Sequence, residues 1–143
     1  MLIDVQNSHL KDDIENFQSL AGLRVLVVDD DTDSGDLTNF YLEIYGAQVM
    51  TATSVFDALT LVKQFKPDIL ISDIAMPEVD GYSLIRKFRT LDLPLRTIPA
   101  IALTAIPLQE GGVLAFESGF QAYLVKPFDI ENLVAEIVKL LKY

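Results

Sequence analysis

Residues 69–82 read ILISDIAMPEVDGY, and this stretch decides the fold. An apolar run of strand-forming residues, Ile69 to Ser72, ends directly on the carboxylate of Asp73. An ionised carboxylate withdrawn from water is costly unless it is paired. We therefore expect a buried strand here, with Asp73 at its end, on a surface where the negative charge is used.

Similar apolar runs recur along the chain and alternate with segments of helical periodicity. The predicted strands are RVLVV (24–28), QVMTA (48–52), ILIS (69–72), PAIALT (99–104) and AYLV (122–125). The predicted helices cover residues 32–45, 54–65, 81–90, 108–118 and 130–141. Continuous apolar strands indicate burial on both faces, as in a parallel sheet covered by helices. The sequence therefore predicts a doubly wound, three-layer α/β sandwich around a five-stranded parallel sheet.

Two of the predicted helices carry an apolar stripe of the kind that packs against a sheet. The stripe of the first helix consists of Leu37, Phe40, Tyr41 and Ile44. The stripe of the last helix consists of Leu133, Ile137 and Leu140.

Residues 1–22 lie outside the alternation and form an N-terminal extension to the domain of residues 23–143. Four apolar residues of the extension repeat at helical spacing, namely Leu10, Ile14, Phe17 and Ala21. A short amphipathic helix is predicted there, and a linker or packing role is favoured over dimerisation.

The composition excludes several classes of function. The chain has 143 residues, half of them apolar, which is enough for one domain with a core. The formal net charge of −10 disfavours direct binding to nucleic acid or anionic lipid. The absence of cysteine excludes disulfides, thiolate nucleophiles and cysteine-ligated zinc. Neither a signal peptide nor a membrane span is recognisable, so a cytoplasmic location is expected.

Chemically active residues follow the predicted strands. In an open parallel sheet, ligands bind beyond the carboxyl ends of the strands. Asp29–Asp31 follow the first strand, Asp73 the third and Lys126 the fifth, while Thr104 ends the fourth. Neighbouring carboxylates repel, and a proton or a bound cation relieves the repulsion. Ligands that are all oxygen favour a hard ion such as Mg²⁺.

The same residues suit phosphoryl chemistry. An aspartate can attack phosphorus to give an acyl phosphate, with catalysis coming mainly from positioning and charge neutralisation. A lysine ammonium and a threonine hydroxyl are suitable partners for the phosphoryl oxygens. The residues at this edge therefore predict an aspartate that accepts a phosphoryl group.

Four segments carry a resemblance to a known family: VLVVDDD, ILISDIAMPEVDGY, IPAIALTA and AYLVKPFD, in this order. Over about residues 23–142 the chain resembles the receiver domain of two-component response regulators, including the receivers of hybrid histidine kinases. The resemblance implies a flavodoxin-like fold with strand order 2-1-3-4-5 and Mg²⁺ as cofactor.

The resemblance also implies the roles of four residues around the metal. Asp73 is the expected phosphoacceptor. Asp30 is expected to bind Mg²⁺ directly, Asp29 mostly through water, and Ala75 through its backbone carbonyl, with Asp73 completing the protein ligands.

Three further residues have implied roles in catalysis and switching. Thr104 is the expected switch hydroxyl that follows the phosphoryl group. Lys126 is the expected counter-charge of the phosphoryl group. Tyr123 is the expected aromatic residue that changes rotamer on activation. The resemblance also implies a cis peptide before Pro127.

Two features depart from the family's usual pattern. Ala75 and Ile106 are apolar where polar side chains often orient the hydrolytic water, which predicts slow autodephosphorylation. The fourth helix contains the apolar segment Gly111–Leu114, whose two glycines each weaken a helix by roughly 1 kcal/mol. This helix is a candidate for the element that moves or meets a partner.

Four alternative roles for the acidic residues fit the sequence less well. An acidic helix N-terminus accounts for Asp31 but not for Asp73 or Lys126. A calcium loop starting at Asp30 would place Tyr41 at its closing acidic position. A hydrolase of the haloacid dehalogenase type needs a further acidic strand after the lysine, and a flavin mononucleotide carrier needs a phosphate cradle without the aspartates.

The predicted function is a phosphorylation-dependent signalling switch, and not an enzyme beyond its own phosphorylation and slow dephosphorylation. A histidine kinase or histidine phosphotransfer protein would donate the phosphoryl group. A downstream protein, or a second copy, would bind the fourth helix, fifth strand and fifth helix. The protein would act through a separate partner or as the receiver of a larger chain. A phosphorylation-independent interaction module is the alternative.

Overall fold

The structure of the protein is a computed structural model, which describes residues 19–76 and 80–141. The strands are β1 (Arg24–Val28), β2 (Gln48–Ala52), β3 (Ile69–Ser72), β4 (Ala100–Thr104) and β5 (Ala122–Val125). The helices are α1 (Thr32–Ile44), α2 (Val55–Phe65), α3 (Gly81–Phe88), α4 (Leu108–Ser118) and α5 (Ile130–Leu141). A short 3₁₀ helix, Leu95–Thr97, precedes β4.

The five strands form one sheet in the order β2-β1-β3-β4-β5, and every pair is parallel. The predicted fold class and strand order are therefore confirmed. The order reverses direction at β1, and β1 lies between β2 and β3. In this topology the ligand-binding edge lies at the carboxyl ends of β1 and β3.

The helices cover both faces of the sheet and create two core layers. One layer contains apolar residues of α2, α3 and α4, and includes Val62, Phe88 and Ala115. The other contains residues of α1 and α5, including Leu42 and Ile137. β3 and β4 are buried at every position because helices cover them on both sides.

Side-chain caps fix where three of the helices begin. Asp31 caps α1, Ser54 caps α2 and Asp80 caps α3, each by accepting a hydrogen bond from a backbone N–H of the first turn. α4 is different because Pro107 precedes it and supplies no side-chain cap. The backbone N–H groups of Glu110 and Gly111 in its first turn donate to the carbonyl of Pro107.

The predicted apolar stripe of the first helix does not face the sheet. Its members are exposed in the structure, between 36% and 61% of each residue: Leu37, Phe40, Tyr41 and Ile44. The buried face of α1 consists of Gly35, Thr38 and Leu42. Gly35 lies next to the end of β1, where a Cβ atom would meet Asp29 Cβ at 3.6 Å, and the apolar stripe is turned toward solvent. The stripe of the last helix is confirmed, since Leu133 and Ile137 are fully buried.

The amino end of the folded core includes Leu20, which is fully buried against the α1–α5 layer. The backbone N–H of Leu20 donates to the carbonyl of Tyr45, at the end of α1. The helix predicted within residues 1–22 falls mostly outside the described residues. None of the described helices is long and apolar enough to cross a membrane.

Arg89, at the end of α3, connects three segments at the amino edge of the sheet, opposite the edge that carries the aspartates. Its guanidinium donates to the carbonyls of Gly119 (2.7 Å), Ile98 (2.6 Å) and Arg96 (2.9 Å). Burial lowers the pKa of this side chain from its ordinary value. Through these bonds Arg89 ties the end of α4 and the start of β4 to α3.

Candidate functional site

Backbone pairing of β1 and β3 brings two aspartates together. Val28 and Ser72, the last residues of the two strands, are register partners. The backbone N–H of Asp73 donates to the carbonyl of Val28 at 2.9 Å. Asp29 and Asp73 therefore lie side by side at the carboxyl edge of the sheet.

Three carboxylates form a cluster at this edge. Oxygen atoms of Asp29, Asp30 and Asp73 all lie within 4.8 Å of one another. Asp29 is buried, Asp73 is half-buried and Asp30 is exposed, so the cluster opens to solvent on one side. Because every donor is a carboxylate oxygen, the site suits a hard divalent cation such as Mg²⁺.

The carboxylate of Asp73 is oriented by two contacts. Oδ1 accepts a hydrogen bond from the backbone N–H of Ala75 at 2.9 Å. Oδ2 lies 3.5 Å from the ammonium of Lys126. One oxygen is thus fixed by the following loop, and the other faces a positive charge.

Lys126, directly after β5, reaches across the edge of the sheet to Asp29. Its Nζ lies 2.7 Å from Asp29 Oδ2 and donates to Ser34 Oγ at 3.0 Å. Burial alone lowers the pKa of Lys126, but the hydrogen bond and charge of Asp29 and the charge of Asp73 outweigh it, so the net pKa is raised. The peptide between Lys126 and Pro127 is cis, as expected.

Thr104 and Tyr123 meet at the loop that leads into α4. The Thr104 hydroxyl, buried at the end of β4, accepts a hydrogen bond from the backbone N–H of Ile106 at 3.3 Å. The Tyr123 hydroxyl donates to the carbonyl of the same residue at 2.8 Å. Desolvation raises the pKa of Tyr123, with smaller contributions from Tyr82, Asp73 and Glu110.

The glycine of the DGY segment, Gly81, allows α3 to begin against the backbone of Asp73. The N–H of Gly81 donates to the carbonyl of Ile74 at 3.2 Å. A Cβ atom at position 81 would overlap the carbonyl oxygen of Asp73 and lie 2.6 Å from Ile74 Cα. Only glycine fits this approach, so Gly81 helps to position the backbone of Asp73.

The structure brings together the residues that the sequence selected at the strand ends. Asp29, Asp30, Asp73 and Lys126 form one constellation, while Thr104 is held through Ile106. Ala75 contacts Asp73 through its N–H. Asp31 serves as the cap of α1.

Sequence reasoning missed two residues near the site. Ser34 binds the Lys126 ammonium, and Tyr82 lies beside α4, where its hydroxyl donates to the carbonyl of Gly111. Ser34 lies in the first turn of the predicted first helix, and this position is only a weak signal of a role at the site. Nothing in the sequence relates Tyr82 to Gly111.

An open groove lies next to the acidic cluster, between α1 and the loop after β5. Leu37 and Tyr41 line one side of the groove, and residues 126–131 line the other. Lys126 therefore lines the groove and also contacts Asp29 of the acidic cluster.

The model of one protein family matches the chain. The family is described as the response regulator receiver domain, and its model matches residues 25–138.

Individual relatives agree with this match. An uncharacterised 14.6 kDa protein of Leptolyngbya boryana is 47% identical over 117 residues, which span 82% of this chain and 88% of that protein. The DNA-binding dual master transcriptional regulator RpaA of Synechocystis is 34% identical and matches 83% of this chain. The match spans only 49% of RpaA, so the chain corresponds to about half of that relative.

A similar structure has also been solved. The chemotaxis protein CheY4 of Vibrio cholerae superimposes with a TM-score of 0.78 at 28% identity, covering 84% of this chain and 99% of CheY4.

Proposed function

This chain belongs to the response regulator receiver domain family, and we propose that it is the phosphoacceptor switch of a two-component or phosphorelay system, with Asp73 as the acceptor. Receiver domains are signalling switches, not classical enzymes. The observation that carries the proposal is the convergence of Asp29, Asp30 and Asp73 at one edge, with Lys126 facing Asp73.

In the proposed reaction, a carboxylate oxygen of Asp73 attacks the phosphorus of a phosphohistidine. The bond that forms joins this oxygen to phosphorus. The bond that breaks joins phosphorus to the imidazole nitrogen, which keeps the electron pair. The N–H of Ala75 and the charge of Lys126 hold the carboxylate in place for this attack.

The acidic cluster fits Mg²⁺ as the cofactor. Asp29, Asp30, Asp73 and the carbonyl of Ala75 would hold the ion, as the resemblance implies. When bound, Mg²⁺ neutralises negative charge on the carboxylates and on the incoming phosphoryl group. Lys126 alone leaves a net negative charge among these three carboxylates, which favours a divalent cation there.

The proposed donor is a histidine kinase or a histidine phosphotransfer protein. The groove beside the acidic cluster supports this proposal, because Lys126 lines the groove and contacts Asp29 of the cluster. The exposed stripe on α1 supplies apolar area next to that groove. A protein that docks there would bring its phosphohistidine to the mouth of the site.

The proposed output surface is formed by α4, β5 and α5. Several apolar residues of α4 and β5 are exposed, between 38% and 72% of each residue: Leu108, Val113, Leu114, Phe116 and Val125. Exposed apolar area of this kind is typical of a protein interface. A downstream protein or a second copy of the chain would bind it.

The same exposed residues favour one alternative. A receiver-like module that binds its partner without phosphorylation would also present an apolar α4. The two functions differ in whether Asp73 accepts a phosphoryl group.

The test is the intact mass of the protein after incubation with acetyl phosphate or phosphoramidate. We expect a gain of one phosphoryl group that requires Mg²⁺ and is lost in Asp73→Asn. Asp57→Asn, which changes an exposed aspartate on α2, is the matched control and should be phosphorylated normally. No gain under any condition would favour the constitutive module.

A further inference from the structure

The start of α4 is held by two tyrosine hydroxyls that come from different elements. Tyr123 lies on β5 and donates to the carbonyl of Ile106 at 2.8 Å. Tyr82 lies on α3 and donates to the carbonyl of Gly111 at 3.3 Å. The bond to Ile106 attaches the loop before α4 to β5, and the bond to Gly111 attaches the first turn of α4 to α3.

Gly111 makes room for both hydroxyls. A Cβ atom at this position would lie 2.5 Å from the Tyr123 hydroxyl and 3.0 Å from the Tyr82 hydroxyl. A Cβ would also lie 3.0 Å from a methyl group of Ile106. Any side chain at position 111 must therefore displace at least the Tyr123 hydroxyl. The glycine, unfavourable in a helix, is explained by the tyrosines that it accommodates.

Tyr82 lies close enough to Tyr123 to affect it electrostatically. The pKa of Tyr123 is raised chiefly by desolvation, and the largest contribution from a neighbouring group comes from Tyr82. Both rings pack against the core layer formed by α2, α3 and α4. The environment of Tyr123 therefore includes α3 as well as α4.

We infer that Tyr82 is a second switch residue, which stabilises the arrangement of Tyr123 and α4 through the hydrogen bond to Gly111. When the first turn of α4 moves, both hydroxyls lose their acceptors together. Tyr82 is a positioning residue, since its hydroxyl binds Gly111 and it acts through α4 and Tyr123. This inference rests on the proposed function, because phosphorylation of Asp73 is the event that moves the loop before α4.

The test uses protein labelled with ¹³C in the tyrosine rings. The chain has five tyrosines, so the ring spectrum is simple and Tyr→Phe variants assign it. The reference is the shift of the Tyr123 signals when the unmodified protein is phosphorylated with phosphoramidate and Mg²⁺. In Tyr82→Phe without phosphorylation, we expect the Tyr123 signals to move part of the way toward this phosphorylated position. Unchanged Tyr123 signals in this variant would overturn the inference.

Gly111→Ala provides a second and independent variant. The new methyl group must push the Tyr123 hydroxyl aside, so the Tyr123 signals are expected to shift further than in Tyr82→Phe. Gly112→Ala is the matched control, since its Cβ would meet only the side chains of Leu108 and Phe116, both exposed. Both substitutions raise helix propensity equally, so helix stability alone would give equal shifts and would contradict the inference.

A structural role for Tyr82 predicts a different result. If Tyr82 only stabilised the fold, Tyr82→Phe would lower the melting temperature and leave the Tyr123 signals of the folded protein unchanged. Intact mass measured on the same samples separates the inference from the proposed function. A wild-type protein that gains a phosphoryl group while Tyr82→Phe leaves Tyr123 unaffected would contradict the inference alone.

Discussion

The side chains of Thr104 and Tyr123 both form hydrogen bonds with the backbone of Ile106. The Thr104 hydroxyl accepts from the N–H of Ile106, and the Tyr123 hydroxyl donates to the carbonyl of Ile106. A change at the Thr104 hydroxyl therefore reaches Tyr123 through a single residue. If the Thr104 hydroxyl moves to a phosphoryl oxygen, the N–H of Ile106 loses its acceptor and the loop is free to move.

Thr104→Val tests this link, because valine keeps the shape of threonine and removes its hydroxyl. The half-buried N–H of Ile106 then lacks its side-chain acceptor, so we expect a loss of about 1 kcal/mol in the free energy of unfolding. Phosphorylation of Asp73 should continue, but the Tyr123 ring signals should no longer respond to it. A normal response of Tyr123 in this variant would show that the signal takes another route.

Gly81→Ala is expected to damage the site through the backbone. The new methyl group would overlap the carbonyl of Asp73. Such overpacking typically costs about 1–3 kcal/mol. Urea denaturation measures this loss. Gly35→Ala on α1 is the matched control, since its Cβ would meet Asp29 Cβ at an ordinary 3.6 Å. Equal stability of the two alanine variants would disprove the close approach at Gly81.

Lys126→Met should make the protein more dependent on Mg²⁺. The substitution leaves Asp29 and Asp73 without the ammonium that now lies between them. A bound divalent cation replaces the missing positive charge, so Mg²⁺ should raise the melting temperature more in Lys126→Met than in the unmodified protein. The control is Lys63→Met, which removes the same charge from an exposed position on α2. An equal effect of Mg²⁺ on all three proteins would place the ion elsewhere.

Stability should fall above about pH 10 because of Tyr82 and Tyr123. Desolvation is the main cause that raises both pKa values above the ordinary 10.0, with Asp80 adding to Tyr82 and the neighbours Tyr82, Asp73 and Glu110 adding to Tyr123. A raised pKa means that the folded state favours the neutral phenol. The two neutral phenols therefore contribute to the stability of the folded state. This contribution to stability is complete below pH 10 and is lost as the pH rises through the folded-state pKa values.

Denaturation curves between pH 8 and pH 11 measure this loss. The double variant Tyr82→Phe/Tyr123→Phe should lose less stability over this range than the unmodified protein. Tyr41→Phe, which changes an exposed tyrosine of α1, should behave like the unmodified protein. An identical pH dependence of all three proteins would show that other groups control alkaline unfolding.

The phosphoryl group on Asp73 should be long-lived. The exposed side chain of Ala75 supplies no group that can orient a water molecule beside Asp73. Ala75→Asn should shorten the lifetime by about 10²-fold, the low end of what a positioned polar group contributes. Intact mass followed over time after removal of the phosphoryl donor gives both lifetimes. A half-life of seconds in the unmodified protein would contradict this prediction.

The sequence was sufficient for the sheet and for the strand-end residues. Apolar strands and their terminal residues are local features, so the positions of Asp29, Asp73, Thr104 and Lys126 followed from the alternation of strands and helices. The roles of these residues in phosphoryl transfer remain a proposal.

Packing between distant segments could not be predicted in the same way. The contact of Tyr82 with Gly111 joins residues 29 positions apart and depends on how α3 and α4 lie together. The apolar stripe of α1 was wrongly assigned to the core because hydrophobic periodicity finds a face without saying what covers it. There the small residues Gly35 and Thr38 take the buried positions.

The two ends of α4 are held by bonds of different strength. At its last turn, Arg89 donates charged hydrogen bonds to the carbonyl of Gly119. At its first turn, the neutral hydroxyls of Tyr82 and Tyr123 hold the helix and its loop. Charge-assisted bonds are roughly twice as strong as neutral ones. The helix should therefore pivot about Gly119. Displacement then increases toward Leu108, so the exposed apolar residues nearest the site move furthest.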